Sequence, residues 1–211
     1  MAATKLGIYN QALGHLGERK LSSLTEDTEP RRVLDDHYSP VVSYCLERTP
    51  WDFALRLAEI SKSNSITPPY GFQNAFAKPT DWVRTYKISN VETFNGGPLN
   101  IAEEREMWYA DCDPLYVQYV SNHPTLGGLD LGKWTQVFED WVVARLALRA
   151  AKRINNSDTD VELLMEIEKK ALKEAREMNR AGDHPEFPPQ GTWVRSRGGN
   201  SRGSRWDRQS F

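Results

Sequence analysis

The chain has 211 residues, 39% of them hydrophobic and 27% charged, and a formal net charge of −2. This is apolar material enough for a real core in one domain plus appendages, and the absence of any run of about 18 apolar residues excludes a membrane-spanning helix. The opening Met-Ala-Ala-Thr-Lys-Leu-Gly has no apolar stretch of a signal peptide, and Cys45 and Cys112, without metal-like spacing, read as reduced thiols of a cytosolic protein.

The first predicted helix runs from about Thr4 to Leu16. Leu6, Tyr9, Leu13 and Leu16 recur at helical spacing and form one apolar stripe, with Thr4 suited to the cap and Gly17 to the stop. A second helix starts near Thr28-Glu29-Pro30, where a proline costs nothing because its missing N–H would be unpaired in the first turn. Val33, Leu34, Tyr38, Val41, Val42, Cys45 and Leu46 make its buried face, and Thr49-Pro50 ends it. Pro40 falls inside this pattern and predicts a kink or a split.

From Trp51 to Ser121 prolines and glycines recur between short runs at Trp82–Val91, Met107–Ala110 and Leu115–Val120. Trp82, Tyr86 and Ile88 alternate with Val83, Thr85 and Lys87, and Leu115, Val117 and Tyr119 repeat every second residue, the period of half-buried strands. Asn95-Gly96-Gly97 is a turn signal between the first two runs. One small antiparallel sheet beside the helices is expected.

A third helix spans Lys133 to about Ile154. Trp134, Phe138, Trp141, Arg145 and Leu148 share a stripe that Val137, Val142, Ala144, Leu146, Ala147 and Ala151 widen, which predicts burial on more than one side. A fourth follows Asn155-Asn156-Ser157-Asp158, with Thr159 and Glu162 as a capping box, Leu164, Ile167, Ala171, Ala175 and Met178 as core stripe, Glu166/Lys170 as a favourable pair and Gly182 as stop. The short connection predicts two antiparallel helices. The expected fold class is α+β, mainly α: a helical bundle over residues 1–182, with a small antiparallel β insertion at about 51–121 and an extended C-terminal arm at 183–211.

Residues 183–190 read as a stiff, proline-rich link. Residues 191–211 carry five arginines and one aspartate, a charge of +4; set against −2 for the whole chain, this leaves −6 on residues 1–190. The segment is too poor in aliphatic residues to build a core, yet it contains Trp193, Trp206 and Phe211. Arginine and tryptophan dominate binding at interfaces, so the segment reads as an arm that orders on a partner. About 29 residues at roughly 3.3 Å each span almost 100 Å when extended, well beyond one subunit.

Catalytic constellations are weak. His15, His37, His123 and His184 have no metal-ligand spacing, and neither a phosphate loop nor a nucleophile elbow occurs. Gly127-Gly128 reads as a loop. Glu103/Glu104 and Asp111/Asp113 read as solvated loop acids, since glycoside cleavage needs two carboxyls at a set distance across a cleft. Trp51, Trp82, Trp108, Trp134 and Trp141 read as core or interface rather than as a sugar platform.

The order of motifs Leu6-Gly-Ile-Tyr-Asn-Gln-Ala-Leu-Gly-His-Leu-Gly17, Leu24-Thr-Glu-Asp-Thr-Glu-Pro30, Tyr38-Ser-Pro40, Thr49-Pro-Trp-Asp-Phe-Ala-Leu55 and the aromatic and proline-bearing segment Tyr70 to Arg84 resembles the tail tubular protein A group of short-tailed bacteriophages, over about residues 1–180. These are head-to-tail adaptors, or connectors, beneath the portal. The resemblance implies a viral structural protein without catalytic, cofactor or metal residues. It implies a ring of twelve subunits between the portal and the tail nozzle protein, located in the virion at the head–tail junction and made in the host cytoplasm. Genomic DNA passes through such a ring without sequence-specific binding, which the acidic body suits. The family's C-terminal segment reaches the portal, so Phe187, Trp193, Arg195, Arg197, Arg202, Arg205, Trp206, Arg208 and Phe211 become the portal or neighbour-subunit contacts. Pro40 departs from the geometry that the resemblance implies for the second helix.

Two other readings stay open at this level. The loop acids and tryptophans allow a tail-associated cell-wall or polysaccharide hydrolase. The arginine-bearing arm allows a nucleic-acid-binding module, recognisable by steep salt dependence.

Overall fold

The computed structural model describes residues 3–69, 71–154 and 158–182. Thr4 starts the first helix, α1 (Lys5–His15): its Oγ1 accepts the Gly7 N–H at 3.1 Å. Gly17, at φ 70°, takes the left-handed conformation that ends it. The second helix, α2 (Glu29–Arg48), is not split by Pro40. Proline there removes the donor for the Asp36 carbonyl, but Asp36 and Pro40 are both exposed, so water can meet the freed group.

The third helix, α3 (Gln136–Ile154), begins later than expected because Leu131–Lys133 form a separate 3-10 turn. Asp130 caps that turn by accepting the Gly132 N–H at 3.0 Å. The fourth, α4 (Asp158–Gly182), is already helical at Asp158, so Thr159 lies inside it rather than capping it. Met178 leaves the expected core stripe and is 61% exposed; Leu164, Glu168 and Ala175 are the buried line. α3 packs against α1, α2 and α4 and is the hub of the helical layer. Its breadth of apolar surface is the reason, with Phe138, Trp141, Val142, Leu146 and Ala147 all fully buried.

The strands correct the expected fold class. Among the described residues six strands form, not three: β1 (Leu55–Ile60), β2 (Asn74–Ala77), β3 (Trp82–Ser89), β4 (Ile101–Glu103), β5 (Met107–Ala110) and β6 (Leu115–Ser121). They make two three-stranded antiparallel sheets, β1-β6-β3 and β2-β5-β4. With about 45% helix and 19% strand the molecule is a mixed α+β fold rather than a helical bundle with one small sheet inserted. The glycine turn at residues 95–97 does not join a hairpin of β3 and β5, because those strands belong to different sheets.

The sheets face each other across a core of their own. Leu115, Val117 and Tyr119 of β6 meet Phe76, Trp108 and Ala110 of the other sheet. The expected alternation holds along β6 but breaks in β3, which shifts register between Trp82 and Arg84 and again between Thr85 and Lys87. Each such irregularity advances the side-chain parity by one. Trp82, Thr85 and Ile88 therefore face the second sheet, while Tyr86 is 39% exposed.

β6 also reaches the helices. Val120, near its end, belongs to the helical core with Leu46, Trp51 and Phe138. Arg84 adds a polar tie, its Nη1 donating to the Glu47 and Arg48 carbonyls at the end of α2 at 3.2 and 3.4 Å. From α4, Asn179 Nδ2 donates to the Pro50 carbonyl at 3.1 Å, and its Oδ1 accepts the Asp52 N–H at the same distance.

Candidate functional site

The arm contacts named from the sequence (Phe187, Trp193, Arg195, Arg197, Arg202, Arg205, Trp206, Arg208 and Phe211) lie outside the described residues, as does His184. The sites that can be built are therefore those of the body.

The acids singled out from the sequence are engaged in local bonds. Glu103 Oε1 accepts from Lys78 Nζ and Thr85 Oγ1, each at 2.7 Å. Glu104 Oε2 accepts the Tyr109 hydroxyl at 3.1 Å. Asp111 accepts the Gln73 N–H at 2.9 Å, and Asp113 pairs with Lys62 at 3.4 Å. Each carboxylate pins a loop or strand end, so neither pair presents two free carboxyls across a cleft. Lys78 is held hardest, 4% exposed and 3.5 Å above the Trp82 ring.

Trp51, Trp108, Trp134 and Trp141 are core, and Trp82 is partly buried against the sheet core. Trp51, Trp108 and Trp141 are at most 1% exposed, and Trp51 meets Phe138 edge-on at 4.9 Å. Their polar handles find acceptors, Trp51 Nε1 at the Cys45 carbonyl and Trp134 Nε1 at the Gly128 carbonyl, both at 2.8 Å. Gly127 and Gly128 lie in the loop after β6 and serve close packing: a Cβ at Gly128 would sit 2.5 Å from Leu46 Cδ2 and 2.9 Å from the Ser121 oxygen.

Sequence reasoning missed a Ser/His/Asp grouping around Asp81. The carboxylate accepts from Arg56 Nη1 at 2.7 Å, from the Tyr119 hydroxyl at 3.1 Å and from Ser121 Oγ. His123 is two residues from Ser121, but only its backbone N–H touches that hydroxyl. Its ring Nδ1 accepts the Leu126 N–H at 3.1 Å and closes the following turn. With Ser121 fully buried and no imidazole on its Oγ, the arrangement lacks the nucleophile–base contact of a catalytic triad. It is a polar tie that fastens the start of β3 to β6 and β1.

A second missed network joins α3 to α4. Glu168, 8% exposed, accepts Trp141 Nε1 at 3.0 Å and Arg145 Nη1 at 3.3 Å. The Arg145 guanidinium lies 4.2 Å from the Tyr44 ring centre. On the solvent side of this stack is a recess of about 150 Å³ between α2 and α3, lined by His37, Pro40, Val41, Tyr44, Arg145 and Arg149. No signal along the chain marks it, because its two walls are about a hundred residues apart.

No protein-family model and no curated protein matches this chain. Among the described residues no group of three or more His, Cys, Asp or Glu side chains could hold a metal ion, and no helix is long and apolar enough to cross a membrane.

The motifs behind the adaptor resemblance turn out to be joints of the architecture. Tyr9 donates to Asp35 at 2.6 Å, which also pairs with Lys5 and Arg31. Asn10 clamps the next loop, accepting the Leu21 N–H at 2.8 Å and donating to its carbonyl at 3.2 Å. Trp51 and Phe53 fill the helical core. Outside the joints, several large apolar side chains stand in solvent on this single chain: Leu163, Met165 and Met178 of α4 at 57, 46 and 61%, and Leu57 of β1 at 67%.

Proposed function

We propose that this chain is a head-to-tail adaptor of a short-tailed bacteriophage: a virion structural protein, assembled as a ring of twelve between the portal and the tail nozzle, through which the genome leaves. The observation that carries the reading is the ordered series of motifs from Leu6 to Arg84. Tyr9, Asn10, Trp51 and Phe53 of those motifs tie the helical layer together, so sharing them in order suits a shared framework, and a framework is what an adaptor contributes. The exposed apolar residues of α4 and β1 suit burial against neighbouring subunits. The −6 charge of residues 1–190 suits a wall that DNA slides past, and the +4 of residues 191–211 suits an arm that grips an acidic protein surface.

Native mass spectrometry of the full chain, alone and mixed with its portal, tests this. A ring-sized species and a ring–portal complex are expected. Removing residues 183–211 should abolish the complex while leaving the body's circular dichroism unchanged, and Arg205→Ala with Trp206→Ala should weaken the complex more than Lys170→Ala on α4. A monomer in every arm, or a truncated chain that still joins the portal, overturns the proposal.

A further inference from the structure

We infer that the recess between α2 and α3 binds a compact oxyanion, a carboxylate or a phosphate group, held by Arg145 and Arg149. Arg145 is pre-set. Its guanidinium is fixed at 4.2 Å from the Tyr44 ring, and its Nη1 is anchored on Glu168. A fork held in one orientation loses little freedom when it takes a ligand. Its Nε is buried without an acceptor, and among the described residues Glu168 is its ion-pair partner.

Arg149 lies four residues on, on the same face of α3, exposed and without an ion-pair partner among the described residues. The lining residues thus carry two guanidinium charges, and Glu168 behind them offsets one. This leaves a local positive excess on a body whose balance over residues 1–190 is −6. The walls are Pro40, Val41 and the Tyr44 ring, which lower the local dielectric and strengthen a charge-assisted bond. A water needs roughly 10–15 Å³ of cavity, so about 150 Å³ admits one oxyanion group and its attached atoms. The recess is too small for an extended strand of nucleic acid and too cationic for an apolar plug. His37 completes the rim.

This inference is independent of the adaptor reading. Isothermal titration of the full chain at low ionic strength, with inorganic phosphate in one arm and glutarate in the other, tests it. Saturable one-site binding tighter than about 1 mM is expected with at least one of them. The arm that binds identifies the group. Arg149→Gln should weaken it at least about tenfold, Arg149→Lys by less because the charge remains without the fork, and Lys173→Gln on α4 should leave it unchanged. No saturable heat with either ligand up to about 10 mM, or equal affinity in Arg149→Gln, overturns the inference. Arg149 is exposed, so its variants keep the fold, and circular dichroism verifies this.

Discussion

Asp81 gathers more polar ties than any loop residue around it, and its protonation is linked to folding. Burial alone would raise its carboxyl, but hydrogen bonds from Ser121, Arg56 and Tyr119 outweigh that and hold it below its ordinary value. A lowered folded value contributes stability that is complete above the unfolded value of about 3.9, and this is lost as pH falls through the folded one. Acidification from about pH 5 to about pH 2 should therefore cost the natural protein more stability than Asp81→Asn, and their thermal midpoints should converge. Glu168 is the corresponding residue among the helices. Glu168→Ala strands the Arg145 charge and the Trp141 N–H, at a cost of about 3–5 kcal/mol in urea unfolding, and Glu168→Gln should cost less because an acceptor remains. Trp51, Trp108 and Trp141 were legible as core because side chains of that size are seldom left in solvent outside an interface. Glu168 was not: it is one acid among the many Lys and Glu residues of α4, and what distinguishes it is an arginine on another helix.

Among the elements, α1 was legible almost to the residue. Its cap, stripe and stop are all local chemistry. Among the strands, β5 and β6 were legible to within a residue and β3 to within two, whereas β1, β2 and β4 were not. β2 and β4 are only four and three residues long, too short to show a period. β3 is long enough, but its two register shifts scramble the alternation that a reader counts on. The second sheet escaped notice because two of its three strands are that short, and the recess because its walls, α2 and α3, are about a hundred residues apart. The loop after β6 was legible as a loop, and its glycines serve close approach within a hydrogen-bonded turn, in which the Asp130 N–H donates to the Gly127 carbonyl at 3.1 Å. Gly128→Ala should destabilise the protein by about 1–3 kcal/mol, because a methyl there meets Leu46 and the Ser121 carbonyl, one of them backbone that cannot give way. A lowered urea midpoint with an unchanged slope is the expected readout.

At the scale of the whole molecule, the body has two cores, and β6 belongs to both. Far-UV circular dichroism, which follows the helices, and tryptophan fluorescence, which follows both cores, should report one coincident transition. Val117→Ala in the sheet core should lower both midpoints together, by an amount worth about 1–3 kcal/mol. β6 is laddered on each side, to β1 and to β3, so it cannot slide without breaking two rows of hydrogen bonds at once. A displacement in the sheet core would therefore reach the helical layer through a strand braced along both edges, whose Val120 packs in one cluster with Leu46 and Phe138.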